Sequence, residues 1–338
     1  MIKNRNYSLD LLRVIACYLV IQQHASEFYY IGEGGTVVTG SNTFWIGIIT
    51  TLCRSSVPLF VMLSGFLLLP MQDKISTFFR KRFTRIVYPF IAWCVLYAGY
   101  YVLSRGDSFS QMALNILHIP VNFGCEIGHL WYIYMLIGLY LVTPIISPWL
   151  QQASKRELEG YLGLWIITTF LPYIHLVYPE VLGEAFWNDT PLLYYFTGFI
   201  GYFILGYYLK RFGYPSAALS WIILIGGFAL STVPELELSW GFCTVNVFLM
   251  TLGLFSLIGR LSLKGKNAAC KLLSDISIKS YGMYLAHILF LNFYYGLFKS
   301  ISDAAYVTIP LTAVCTFITV YIFVYLLSYL PKSKYIIG

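Results

Sequence analysis

Few side chains in this sequence have the chemistry to act on a substrate inside an apolar environment, and four of them share one stretch. In DLLRVIACYLVIQQHASE these are Asp10, Arg13, His24 and Glu27. Arg13 and His24 are eleven positions apart, which at about 100° per residue returns to nearly the same helix face; Asp10 and Glu27 lie on it too. The result is a polar stripe about 25 Å long through otherwise apolar sequence. Neutral imidazole is the usual proton acceptor near pH 7, so His24 fits a general base, and Glu27 one turn on fits the group that orients it. The structural alternative for His24 is a hydrogen bond to a neighbouring helix. The planar fork of Arg13 suits a phosphate or a carboxylate; its structural alternative is an ion pair with Asp10. Ionisable groups held in hydrocarbon are costly, which makes the stripe a functional candidate.

Other segments carry weaker signals. In KISTFFRKRFTRIVYP, Arg82 and Arg85 are three apart on one face of an amphipathic lead-in, placed to clamp the phosphates of a soluble anionic cosubstrate or simply to anchor a membrane boundary. SVPLFVMLSGFLLLP sets Ser64 beside Gly65, a pair that lets a ligand or another backbone come close. GHLWYIYML places His129 and Trp131 at the outer end of one apolar run, and SYGMYLAH stacks Tyr284 and His287 in another. Aromatic residues at such depths are usually belt or packing residues. The seven cysteines and five histidines are dispersed, with no Cys-x-x-Cys and no histidine pair at three or four, so no local spacing predicts a metal site or disulfides. Asn6-Tyr-Ser and Asn188-Asp-Thr match the short glycosylation sequon.

The elements that must hold these side chains are membrane helices. Of 338 residues, 58% are hydrophobic and 11% charged, and the mean hydropathy is +0.71. Windows of about 20 apolar residues predict an all-α polytopic protein of about ten transmembrane helices, near 9–30, 44–70, 86–104, 129–150, 160–178, 191–209, 217–234, 241–259, 279–298 and 305–330. With both termini cytoplasmic, only Arg54, Arg105 and Lys299 of the 22 basic residues fall outside, as the positive-inside rule requires. The outer segments hold acids such as Glu33, Glu180, Glu184, Asp189, Glu235 and Glu237. The net charge of +7 therefore describes an inner face and not a nucleic-acid partner. A short interfacial helix is expected around Phe109–Leu117. No cleavable signal, internal repeat or appended soluble domain is visible, so residues 1–338 read as a single integral-membrane domain.

Taken together, Asp10-x-x-Arg13 followed by His24, the Ser-Val-Pro-Leu-Phe…Ser-Gly-Phe helix, Arg82-x-x-Arg85-x-x-x-Pro89, His129-Leu-Trp and Ser280-Tyr-Gly-x-Tyr-Leu-x-His287 resemble the acyltransferase-3 family of bacterial membrane proteins. The likeness covers essentially the whole chain and is nearest to the stand-alone branch that contains the enterobacterial common antigen O-acetyltransferase. It implies transfer of an acyl group, usually acetyl from cytoplasmic acetyl-CoA, to hydroxyls of cell-envelope glycans at the bacterial inner membrane. The family's functional arginine and histidine carry over to Arg13 and His24, and its paired arginines to Arg82 and Arg85. Many relatives add an extracytoplasmic hydrolase-like domain, which the sequence does not lead one to expect here.

The expected function is thus O-acyl transfer from acyl-CoA, without metal, to an envelope glycan or lipid-linked sugar. In this reading Arg13, Arg82 and Arg85 hold the donor. His24, oriented by Glu27, serves as general base or carries the acyl group briefly. Asp10, Ser64, His129, Trp131, Tyr284 and His287 are candidate lining residues. The competing expectation is a transporter or exporter whose polar stripe lines an alternating-access path; the paired, Gly- or Pro-interrupted short spans typical of that class are not evident.

Overall fold

The structure is a computed structural model describing residues 5–31, 40, 42–178, 196–232, 240–263 and 267–338. Asn188, the six outer acids named above, Lys264 and Lys266 lie outside the described residues. The regular elements are helices: α1 (Tyr7–Tyr30), α2 (Thr43–Cys53), α3 (Ser56–Leu68), α4 (Ile75–Arg82), a π turn (Phe83–Val87), α5 (Tyr88–Ser104), α6 (Phe109–Leu117), α7 (Phe123–Glu126), α8 (Trp131–Gln152), α9 (Lys155–Thr168), α10 (Leu171–Val177), α11 (Phe199–Phe212), α12 (Ala217–Leu230), α13 (Val245–Gly259), α14 (Ala268–Lys299), α15 (Ala305–Leu327) and α16 (Lys334–Ile337). The protein is all-α, and the short helix expected at Phe109–Leu117 is present over those residues.

The helix carrying the polar stripe lies at the centre. Asn6 starts α1 by accepting from the backbone N–H groups of Ser8 and Leu9, so this sequon asparagine serves as a helix cap. Around its circumference α1 packs on α2, α3, α13, α14 and α15, and Leu12, Ala16, Cys17, Ile21 and Ala25 are at most 1% exposed. A helix surrounded in this way can keep ionisable groups away from lipid, because the neighbours supply their partners.

Among the described residues, four helices are long and apolar enough to cross a membrane: Thr43–Leu68, Ile75–Ser104, Trp131–Gln152 and Ala305–Leu327; Ala217–Leu230 and Val245–Gly259 are shorter apolar helices. The expected ten spans include others that fall short of this measure, α1 among them, where the stripe dilutes the hydropathy. Several boundaries differ from the expected windows for local reasons. The window 44–70 is broken at Arg54-Ser55, because Pro58 has no N–H to donate to the Arg54 carbonyl. The window 160–178 becomes α9 and α10, the second starting with Pro172 in its first turn, where a missing N–H is harmless. Helix α14 begins at Ala268, capped by Asn267, since polar Lys271, Asp275 and Lys279 hide its first turns from a hydropathy window.

The helical rod from Ile75 to Ser104 bears the paired arginines and changes register at the π turn. Pro89 would push its ring into the carbonyl of Arg85, and the widened ladder relieves that; the Tyr281 hydroxyl takes the Ile86 carbonyl at 2.8 Å.

Contacts between α3 and α11 rest on two glycines. A Cβ on Gly65 would fall 1.8 Å from the Phe203 carbonyl oxygen, and one on Gly206 would fall 1.9 Å from that of Met62. Without a hydrophobic drive between helices in lipid, close backbone approach of this kind supplies the packing. Gly206→Ala is expected to force α3 and α11 apart and to lower the thermal midpoint in detergent by several degrees, since overpacking costs about 1–3 kcal/mol. Gly138→Ala, inside α8 with open space beside it, should not lower the midpoint in the same melt.

Candidate active site

At the outer half of α1, His24 Nδ1 and Glu27 Oε2 are 2.7 Å apart. A carboxylate at Nδ1 holds the proton there, leaves the Nε2 lone pair as the working atom and stabilises an imidazolium if one forms. Two further histidines join it. His287 comes from α14; its Nδ1 donates to the Tyr284 carbonyl at 2.6 Å, and its Nε2 has no hydrogen-bond partner among the described residues. A carbonyl only accepts, so this bond also fixes the tautomer, with the lone pair on Nε2. His129 precedes α8, after Gly128, whose φ of +95° lies in the glycine-favoured region. The ring centroids are 5.2 Å (His24–His287), 6.2 Å (His24–His129) and 4.9 Å (His129–His287) apart. The Tyr284 hydroxyl donates to the His129 carbonyl, and the Tyr97 hydroxyl donates to the Leu285 carbonyl at 2.9 Å, which His129 Nε2 approaches at 3.4 Å. Among the described residues no group of three His, Cys, Asp or Glu side chains is arranged to hold a metal ion. The cluster brings three imidazoles together in a largely buried place, and imidazole nitrogens so placed can accept and pass protons.

On the other side of the stripe is a cavity of about 140 Å³ lined by Arg13, Ser64, Arg82, Arg85, Tyr132 and Tyr284 among others, with no carboxylate in its wall among the described residues. Arg82, Arg85 and Ile278 also line a wider basin of about 700 Å³. Asp10 is held elsewhere: Arg5 donates to its two oxygens at 2.6 and 2.9 Å, and Ser277 Oγ donates at 2.7 Å. Arg13 Nη1 donates to Ser277 Oγ at 3.0 Å and stands 3.9 Å from Asp10. Asp10 is thus bound mainly to Arg5 and is not part of the cavity wall, while Arg13 is only loosely paired. Arg82 lies over the rings of Phe78 and Tyr140 at 5.4 and 5.9 Å, its Nε buried without a partner among the described residues. Three guanidinium groups around one cavity, with no acid in its lining among the described residues, have the chemistry to take an anion.

The two places meet at a wall of tyrosines. Tyr132 and Tyr284 pack edge to face at 5.7 Å, and Tyr284 lies 5.7 Å from His129 and 6.0 Å from His287. His24 is not a lining residue of the cavity, which stops one tyrosine short of the histidines. Trp131 is not in either place; it packs on Phe199 at 5.9 Å and Phe242 at 5.6 Å. That aromatic group also holds Arg54, whose guanidinium is 5.4 Å from the rings of both Trp240 and Phe242 and donates to the Tyr30 hydroxyl at 3.3 Å. The positive-inside count leaves Arg54 on the outer side although it lies within the 44–70 window, and an arginine within a long apolar stretch is itself a signal. Tyr132, Ser277 and Tyr281 were also missed, being inconspicuous by type.

Comparison with curated proteins and with solved structures finds no match in either. The sequence model of one family, described as an acyltransferase domain, matches residues 6–329. That span takes in the paired arginines, the polar stripe and all three clustered histidines. With a membrane-type helical fold built around those groups and a family match over nearly its whole length, the chain belongs to the acyltransferase-3 family.

Proposed function

We propose that the protein is an O-acyltransferase of the bacterial inner membrane. It moves an acyl group, acetyl in the simplest case, from cytoplasmic acyl-CoA to a hydroxyl of an envelope glycan or lipid-linked sugar. One observation carries this reading: an acid-free cavity with three guanidinium groups ends at a tyrosine wall that touches the His24–His129–His287 cluster. Both termini are cytoplasmic in the ten-span topology, and the chain acts in the manner of the stand-alone branch of the family.

In this reading the labour is divided as follows. Arg82 and Arg85 hold the phosphates where the basin narrows, and Arg13 steadies the donor deeper in. The pantetheine arm passes between Tyr132 and Tyr284, which separate as the Tyr284 tie to the His129 carbonyl is given up. His24 Nε2 removes the proton from the sugar hydroxyl as its oxygen bonds to the thioester carbonyl carbon. The carbon–sulfur bond then breaks, and the CoA sulfur leaves with the proton His24 received. Acylation of His24 itself, followed by transfer to the sugar, uses the same groups and the same balance.

The test is release of free thiol. Purified protein in liposomes made with total envelope lipids and given acetyl-CoA should liberate CoA thiol and move labelled acetyl into the glycolipid fraction. A transporter would relocate its solute unmodified and release no thiol above empty liposomes.

A further inference from the structure

Beyond Arg82 and Arg85 the wide basin carries three more cations, Arg80, Lys81 and Lys334, and no carboxylate side chain lines it among the described residues. Lys81 is already engaged, its Nζ 3.0 and 2.8 Å from the two oxygens of Asp73. Neither Arg80 nor Lys334 forms an ion pair among the described residues. Lys334 is not on a loose tail. It starts α16, which is pinned to the bundle by the Trp93 Nε1 bond to the Ile336 carbonyl at 2.9 Å, by Ile337 at 7% exposure, and by the Tyr335 ring against Tyr88 at 5.6 Å. A fixed element therefore holds this cation at the basin rim across from α4.

We infer that Arg80 and Lys334 recognise the 3′-phosphate of the coenzyme A donor; the inference rests on the donor reading above. The order of groups in the ligand sets the assignment. With pantetheine in the narrow cavity, the pyrophosphate joined to it falls at the neck, where Arg82 and Arg85 line both spaces. The ribose and its 3′-phosphate come next outward, in the basin. A phosphate monoester carries about −1.5 to −2 charges at pH 7, more than either pyrophosphate unit, and is well served by a lysine point charge beside a guanidinium.

The experiment compares acetyl-CoA with acetyl-dephospho-CoA, which lacks only that phosphate, binding to the purified full chain. Wild type is expected to bind acetyl-CoA about five- to tenfold more tightly, the scale of two partly exposed charge pairs, with the preference shrinking as salt is raised. R80A/K334A should abolish the preference while binding acetyl-dephospho-CoA within about twofold of wild type, and K334R should keep most of it. Equal binding of the two ligands by wild type would overturn the inference, as would a double variant that retains the full preference or weakens both ligands alike. If wild type bound neither ligand, the donor reading itself would fail and this inference with it.

Discussion

His24→Ala is expected to reduce acyl transfer by about three orders of magnitude or more in kcat while leaving acyl-CoA affinity within about twofold. The split follows from position. His24 does not line the donor cavity, so its loss removes no contact with the nucleotide or its phosphates. What disappears is the Nε2 lone pair held ready by the Nδ1 bond to Glu27. His287 stands near enough to be asked whether it substitutes, but its Nδ1 is bound to a carbonyl instead of a carboxylate. It therefore lacks the anion that would stabilise its charged form, and rescue should be minor. Glu27→Gln, which keeps a partner for the imidazole but removes the charge, should fall between wild type and His24→Ala, by about ten- to a hundredfold in kcat. Single-turnover kinetics together with donor binding separates these effects, and His24→Gln guards against a simple packing defect at a partly buried site.

Arg82→Ala with Arg85→Ala should do the reverse, weakening acyl-CoA binding by about ten- to a hundredfold with little change in the melting temperature. Charge-assisted hydrogen bonds to phosphate are worth about 1.5–3 kcal/mol each when buried and less where solvent screens them, and Arg85 is exposed. The fold loses little because the described residues give these guanidinium groups rings and cavity but no ion pair. Lysine should rescue only partly, most poorly at Arg82, where a planar group lies over Phe78 and Tyr140. Arg13→Ala, deeper on the path, should impair both donor affinity and turnover. Unchanged donor affinity in the double variant would leave Arg82 and Arg85 as boundary anchors.

What could be read in the sequence was whatever depends on local periodicity. The spacing of Arg13 and His24 on one face, the amphipathic run before Pro89 and the helix at Phe109–Leu117 are all consequences of 3.6 residues per turn. The convergence of His24, His129 and His287 was not legible. Those residues come from two helices and the turn before a third, far apart in the chain, and a search for pairs at three or four positions sees only neighbours. The pairing of Asp10 with Arg5 was hidden for a related reason, since Arg5 precedes the helix and its reach depends on how the chain enters α1. Trp131 follows His129 by two positions, yet at the start of a helix that step turns it away from the histidines and into the aromatic group around Phe242. Hydropathy windows overlooked the polar start of α14 and the breaks imposed by Pro58 and Pro172, because they average over backbone chemistry.

The central claim is that the donor enters from the side of Arg82 and Arg85 and delivers its acyl group to His24, about 16 Å along α1 from Arg13. A structure with a non-hydrolysable acetyl-CoA analogue measures this directly. Phosphates are expected against Arg82 and Arg85, Tyr132 and Tyr284 drawn apart, and the acyl carbonyl carbon about 3–3.5 Å from a hydroxyl or imidazole nitrogen poised at His24. An acyl group resting in the basin, with the Tyr132–Tyr284 wall closed and His24 out of reach, would contradict it.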